Sequence, residues 1–288
     1  MNEPGGSSSV EPVEIAARDG YRLSGTLFRP PDAAAGAVAI YAATGVRQEY
    51  YAHFAAYLAA RGFIVLTFDY RGIGRSRRGS LRGFAARMRD WAELDGGGAL
   101  DFLQRSAGDA KLFAIGHSFG GNGFGVINGI ERYAAALFVG VQSGYWRHWH
   151  GAGRAGMWFL THLLLPAVAP LVGYFPARLL GQGEDLPAGV ATEWARWCRD
   201  PRYAAGALGT EGYTRFSSPI RSYWIADDSY APLPAAEALL RLYPAAPSEL
   251  KRIFPADVGA GKIGHFGFFR EQFRDSLWRG AADWLLAR

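Results

Sequence analysis

The sequence predicts an α/β protein: a mostly parallel sheet with helices on both faces and a helical insertion set into it. Three observations lead there. In the first half, short apolar runs of the buried-strand type alternate with helix-like segments at short spacing, the signature of parallel strands joined by crossover helices. From about Gly144 to Arg215 that alternation stops, and the chain turns rich in Trp, Tyr, Gly and Pro. From Ser218 to the end the alternation resumes. With 288 residues, 49% hydrophobic and 20% charged, the chain is long enough for one large core and too apolar to be disordered.

In order, "VEPVEIAARDGYRLSGTLFRPPD" reads as two strands turned at Asp19-Gly20, a strong hairpin pair. "GAVAIYAAT" is a buried strand, followed by the helix "EYYAHFAAYLAARG" with Gly62 as its stop. "FIVLTFDYRG" is the next strand, ending at Asp69. "FAARMRDWAELDGGGALDFLQR" reads as a helix weakened in the middle by Gly96, Gly97 and Gly98. "AKLFAIGHS" is a strand, "FGGNGFGVINGIE" a glycine-rich helix and "AALFVGVQS" another strand. After the insertion come the strand of "SPIRSYWIADDSYAP", the helix "LPAAEALLRLY", the strand "SELKRIFPAD" and the closing helix "FFREQFRDSLWRGAADWLL". Residues 1–9 read as a flexible tail, 10–143 and 216–288 as the core, and 144–215 as a cap over the carboxyl edge of the sheet. No internal repeat is visible.

The net charge of +5 is carried almost wholly by arginine, since Lys111, Lys251 and Lys262 are the only lysines. The arginines are scattered and do not interleave with aromatics as in a nucleic-acid module, so no nucleic-acid partner is expected. The densest cluster, Arg71 to Gly83, reads as a solvated loop with at most a role in steering anions. Cys198 is the only cysteine, so no intrachain disulfide can form; a reducing, cytoplasmic location is expected. Met157 to Phe175 approaches a membrane span in length, but His162, Pro166, Pro170 and Gly173 interrupt it. A helical hairpin of the cap is expected there, and no membrane span.

The chemistry concentrates in "AIGHSFGG", where Gly116-His117-Ser118-Phe119-Gly120 stands between a strand and a helix. A serine on so tight a turn takes a strained backbone angle, and side chains at Gly116 and Gly120 would clash. The strain lifts Ser118 above the sheet at a helix N-terminus, where N–H groups favour developing negative charge. A serine hydroxyl needs a base to become a nucleophile. Of the six histidines, His53 falls within a predicted helix away from the sheet edge, His117 should point to the other side of the turn, and His148, His150 and His162 belong to the insertion. His265 lies in the loop between the last strand and the last helix, where it can reach Ser118. The base needs an orienting carboxylate, and Asp227 and Asp228 end the preceding strand. No Cys/His cluster has metal-ligand spacing and no dinucleotide fingerprint has its strand–helix context; no metal or cofactor is expected.

In the order Ser, Asp, His, in "FDYRGIGRS" with its D-x-R-G-x-G-x-S pattern, and in the "GHSFGG" elbow, the sequence resembles the α/β-hydrolases over nearly its whole length. More narrowly it resembles their serine aminopeptidase-like and uncharacterised branch. The resemblance implies an acid followed three and four residues later by a small apolar residue and proline. That spacing starts from Asp228, with Ala231 and Pro232, which leaves Asp227 to brace the loop or cap an N–H. It also implies an oxyanion hole made by the N–H of Phe119 and one from the loop after "AVAIYAAT". Many members carry His-Gly there; this chain has "YAATGV", so Thr44 is the expected donor, with Ala43 and Gly45 left open.

The expected activity is hydrolysis of a carboxylic ester, with an amide less favoured, through an acyl-enzyme on Ser118, His265 and Asp228. Acyl transfer by the same triad and a non-catalytic ligand-binding relative are the alternatives. Tyr145, Trp146, Trp149 and Trp158 are the expected substrate contacts. With Trp194 and Trp197 they suggest a small-molecule substrate with an apolar moiety. Oligomeric state cannot be read from the sequence.

Overall fold

The computed structural model of the chain describes residues 8–181 and 183–288. The expected tail over 1–9 therefore lies outside the described residues up to residue 7, and Ser9 already belongs to the first strand.

The strands are β1 (Ser9–Ala16), β2 (Arg22–Arg29), β3 (Gly36–Tyr41), β4 (Phe63–Phe68), β5 (Leu112–His117), β6 (Tyr133–Val139), β7 (Tyr174–Phe175), β8 (Leu186–Pro187), β9 (Ile220–Ile225) and β10 (Ser248–Ile253). Eight of them form one sheet in the order β1-β2-β4-β3-β5-β6-β9-β10, while β7 and β8 pair as a small ribbon within the insertion between β6 and β9. β1 and β2 are antiparallel, as are β2 and β4. The other pairs of the large sheet, β4-β3, β3-β5, β5-β6, β6-β9 and β9-β10, are parallel. Every residue of β3, β4 and β5 is buried, as strands covered on both faces require.

The order places the site. From β3 the chain steps outward to β4, then returns past β3 to β5. Loops leaving the carboxyl ends of β3 and β5 therefore diverge from adjacent strands, and the crevice between them is where such sheets bind ligands. Ser118 follows β5, and the Ala43–Gly45 loop follows β3.

Four expectations are corrected. The glycine-rich segment after the elbow is not one helix but a four-residue helix, Phe119–Asn122, and two 3₁₀ turns at Phe124–Val126 and Ile130–Arg132. The backbone of the helix Glu211–Arg215 packs directly onto this segment. A Cβ at Gly125 would stand 2.3 Å from the Tyr213 ring, and one at Gly212 2.0 Å from the Gly125 carbonyl oxygen. Glycine is there for close approach, not for helix. The helix expected before β5 is likewise divided, into Met88–Asp90, a π-helical turn at Trp91–Gly96 and a helix at Gly97–Ala107.

The apolar stretch of the insertion is one helix over Gly151–Val172 rather than a hairpin. A π-helical turn at Leu160–Leu164 opens the hydrogen-bond ladder just ahead of Pro166, and the helix ends at Gly173 with φ +84°. By length and composition alone this helix could cross a membrane; here Thr161, Leu165 and Ala169 on its inner side are buried against the body of the protein.

The arginine cluster is not a solvated loop throughout. Arg71 is buried, with Nε donating to Asp95 Oδ1 at 2.7 Å and Nη1 to Asp19 Oδ2 at 2.7 Å. Asp69 accepts from the Gln48 backbone N–H at 2.8 Å and the Arg75 N–H at 2.9 Å. Ser76 Oγ donates to the Asp69 carbonyl at 2.7 Å and accepts from Ser24 N–H at 2.8 Å. The D-x-R-G-x-G-x-S segment thus braces the ends of β2 and β4 and the turn below the Ala43–Gly45 loop.

Candidate active site

Ser118 has φ 49° and ψ −117°. Apart from Tyr203 at φ 53°, it is the one non-glycine residue with a left-handed φ among the described residues, and both border the same cavity. Strain of this kind persists only where its surroundings over-determine it. Here the surroundings are backbone: a Cβ on Gly120 would lie 2.0 Å from the Tyr41 carbonyl oxygen, and one on Gly116 2.6 Å from Gly121. Ser118 N–H donates to the Val139 carbonyl at 3.1 Å, which ties the turn to the end of β6. The following helix is too short for a sizeable macrodipole, so stabilisation of negative charge here falls to individual N–H groups.

The acid loop and the histidine loop meet beside this turn. His265 Nδ1 and Asp228 Oδ2 are 2.7 Å apart, and both residues are buried. With Nδ1 committed to Asp228, Nε2 is the ring nitrogen left for chemistry. Asp228 Oδ1 also accepts from the Tyr230 N–H at 2.8 Å. The neighbouring carboxylate is spent differently. Asp227 accepts from the backbone N–H groups of Ile263 and Gly264, each at 2.9 Å, and so holds the start of a four-residue helix, Gly264–Gly267, that carries His265 where a loop was expected.

The loop after Asp228 is pinned through three successive carbonyls. Ser229 accepts from Trp149 Nε1 at 3.1 Å, Tyr230 from Gln142 Nε2 at 3.1 Å, and Ala231 from Trp224 Nε1 at 2.9 Å. The three donors come from the cap, the end of β6 and β9.

Ser118 and His265 share a cavity of about 370 Å³ with Ala43 and Thr44. Its wall is largely apolar and draws on the cap through Trp149, Met157, Leu160, Phe175, Leu186 and Trp194. Of the aromatic residues expected to touch substrate, Trp149 lines the cavity. Tyr145, Trp146 and Trp158 do not: the indoles of Trp146 and Trp158 turn to the outer side of the cap, where both pack on His162. An aromatic-rich segment shows that a surface is to be covered, but its composition does not say which side of the helix faces in. Ala43 N–H donates to Tyr51 Oη at 2.9 Å, so it is engaged; Thr44 stands next to it on the cavity wall.

His117 is the residue that sequence reasoning set aside. It is fully buried beneath His265, with ring centroids 5.0 Å apart. Its Nε2 reaches the His265 carbonyl oxygen at 3.0 Å and its Nδ1 the hydroxyl of Tyr51 at 2.8 Å. Burial, and to a smaller degree the nearby His265, hold its pKa well below the ordinary histidine value, so the ring is neutral. Gly140 was also missed. With φ +58° it lies against the acid–histidine pair, where a Cβ would come within 3.1 Å of both Asp228 Oδ2 and His265 Nδ1. The available signal was a glycine closing a buried strand in "FVGVQS".

Residues 33–156 match the family model described as serine aminopeptidase, S33. No curated protein matches the chain. Among solved structures it is similar to an esterase domain from Rhodothermus marinus, with TM-score 0.61 and 17% identity over 97% of this chain and 98% of that one. It is also similar to an esterase of Pyrococcus furiosus, with TM-score 0.62 and 14% identity over 97% and 91%. A dienelactone hydrolase from Anabaena variabilis gives TM-score 0.62 and 14% identity over 98% and 99%. With its strand order, its strained serine after β5 and these similarities, the chain is an α/β-hydrolase in fold, and over residues 33–156 it resembles the serine aminopeptidase family in sequence.

Proposed function

We propose that the protein is a serine hydrolase that cleaves carboxylic esters carrying an apolar moiety, through an acyl-enzyme formed on Ser118. The observation that carries this reading is the 2.7 Å contact between His265 Nδ1 and Asp228 Oδ2, on a histidine that shares an apolar cavity with a serine in a strained strand-to-helix turn.

In this reading Ser118 Oγ attacks the ester carbonyl while His265 Nε2 takes its proton. Asp228 keeps the Nδ1–H tautomer and stabilises the imidazolium. The oxyanion accepts from the N–H groups of Phe119 and Thr44; Ala43 is not used, because its N–H already serves Tyr51. His265 returns the proton to the departing alcohol, and water repeats the sequence to release the acid. A cavity of about 370 Å³ with an apolar wall suits a medium-length acyl or alkyl group. The comparisons support ester chemistry in that the similar structures include esterases. Cys198 is buried and burial pushes its thiol pKa up, so it stays an inert thiol, as suits a cytoplasmic protein.

The test is hydrolysis of p-nitrophenyl esters of graded chain length, with fluorophosphonate labelling of the same samples. Wild-type protein should label and turn over, with an optimum above the shortest chains, and Ser118→Ala should do neither. If the wild-type protein neither labels nor turns over, or if Ser118→Ala leaves both unchanged, the reading is wrong.

A further inference from the structure

The outer face of the cap is left over once the cavity is accounted for. On the helix Gly151–Val172, Met157 and Leu160 reach inward to the cavity. The opposite side is bare: Trp158 is 41% exposed, Phe159 51%, Leu163 47% and Leu171 86%. Residues 154, 158 and 162 form one stripe along the helix, and 155, 159 and 163 the stripe beside it.

The stripes continue into an aromatic, cationic end. The Trp158 indole stacks on the His162 ring at 5.1 Å, and His162 meets the Trp146 indole edge-on at 5.5 Å. Over Trp146 lie two guanidinium groups, Arg147 at 5.1 Å and Arg154 at 5.7 Å. From residue 144 to 181 the sequence has Arg147, Arg154 and Arg178 and no carboxylate; Arg178 pairs with Glu184. The face is therefore apolar along its length and cationic at one end.

We propose that this face docks the protein on an anionic lipid surface, with the helix lying in the plane of the headgroups. Trp158, Phe159 and Leu163 enter the boundary between headgroups and acyl chains, while Arg147 and Arg154 meet the lipid phosphates. An amphipathic surface helix with Trp and Leu on the buried side and arginine at the rim binds in this way, and anionic lipid strengthens it through the cations. The helix does not span the bilayer in this arrangement, because its inner side is part of the cavity wall. Charge also argues against a second copy as the occupant: self-pairing would set these arginines against a surface with no carboxylate between residues 144 and 181. An acyl chain in the lipid would then be separated from the cavity by the thickness of one helix, whose inner residues already line it.

The experiment is flotation of the full chain with vesicles of phosphatidylcholine alone and of phosphatidylcholine with phosphatidylglycerol in equal parts. Ser118→Ala is used as the parent, so that binding is read without turnover and stands or falls apart from the proposed hydrolysis. The parent should float with the anionic vesicles, more weakly with the neutral ones, and less as salt rises. Arg147→Gln with Arg154→Gln should weaken anionic binding by about 10- to 30-fold. Trp158→Ser with Phe159→Ser should abolish flotation with both. The proposal is overturned if the parent floats with neither vesicle, if it floats equally with both, or if either double variant floats like the parent. Sedimentation of the same samples covers the other occupant: a concentration-dependent dimer that does not float, and that Trp158→Ser with Phe159→Ser dissociates, assigns the face to a second copy and also overturns it.

Discussion

His117 Nε2 donates to the carbonyl oxygen of His265 across 3.0 Å, so the residue before the strained serine holds the backbone of the histidine beside it. The donors run one way. Ala43 N–H can only donate, so Tyr51 Oη accepts from it and gives its own proton to His117 Nδ1; His117 Nε2–H then ends on a carbonyl. One neutral tautomer satisfies the whole chain. It ties the loop after β3 to the loop that carries His265, through the middle of the elbow.

Tyr51→Phe breaks this chain at its centre and strands two buried groups, Ala43 N–H and His117 Nδ1. We expect a stability loss of about 1–3 kcal/mol per group left unsatisfied. We also expect kcat to fall by up to about 100-fold with KM little changed, since both loops lose their register. Denaturant melts and steady-state kinetics on a p-nitrophenyl ester check this; an unchanged kcat means the chain has no positioning role.

The same histidine sets a pH dependence of stability. Its pKa is held well below the ordinary value of about 6.5 in the folded state, first by burial and then by His265. A histidine shifted down contributes stability that is complete above the unfolded pKa and is lost as pH falls below it, because the unfolded chain takes up a proton that the folded one refuses. Tyr51, His265, Phe266 and Phe269 surround the ring and none supplies a carboxylate to offset this. Below about pH 6.5 the protein should lose up to about 1.4 kcal/mol per pH unit through this group, and His117→Asn should flatten that slope. Denaturant melts between roughly pH 5 and pH 8 measure it.

The two adjacent carboxylates should separate cleanly. Asp228→Asn can present an amide N–H to His265 Nδ1 and so favours the wrong tautomer; a fall in kcat of about 10⁴-fold is expected with little change in KM. Asp227→Asn keeps one acceptor for the Ile263 and Gly264 N–H groups and loses the other. It should cost about 1–3 kcal/mol in stability and far less in kcat than Asp228→Asn. The reverse order of effects on kcat would show that the acid has been misassigned.

Gly140→Ala tests the packing behind the pair. The left-handed φ alone costs about 1–2 kcal/mol for a residue with a Cβ, and here the Cβ would press on Asp228 Oδ2 and His265 Nδ1 together. Labelling by a fluorophosphonate should slow by at least about 10-fold, as expected when a hydrogen-bonded pair is moved off its geometry. Labelling at the wild-type rate would show that the loops yield without harm.

Arg71→Met leaves Asp95 with no exposed side-chain surface and without its guanidinium. The expected loss is about 1–3 kcal/mol in urea melts: burial already holds the Asp95 carboxyl up at about 7, and without Arg71 it is left neutral with its hydrogen bonds unmade. A loss below about 1 kcal/mol would place the pair among weak surface bridges instead.

The fold could be read from pattern, and so could the meeting of Ser118, Asp228 and His265 at one edge of the sheet. Buried strands at short spacing predict the parallel sheet. The G-x-S-x-G turn between strand and helix predicts the strained Ser118, because only glycine fits against the Tyr41 carbonyl. What escaped the sequence depends on contacts between distant segments. His117 was set aside because a side chain opposite Ser118 has no evident task until Tyr51 and His265 are seen on its two sides. The helix expected after the elbow failed because the approach of Gly212 to Gly125 overrides local pattern. Trp146 and Trp158 were placed with the substrate because aromatic composition does not declare which side faces in: Trp146 sits in a turn ahead of the helix Gly151–Val172, and on that helix the inward residues are Met157 and Leu160.

The three carbonyls after Asp228 have a mechanical consequence. One of their donors, Trp149, belongs to the insertion between β6 and β9, so that segment and the Asp228 turn are linked like a roof beam resting on the part it shelters. Were the insertion to swing away as a rigid flap, it would draw Trp149 off Ser229 and slacken the turn that aims Asp228. Traffic to the cavity is therefore expected through local yielding of the long outer helix, with Trp149 as the fixed pivot.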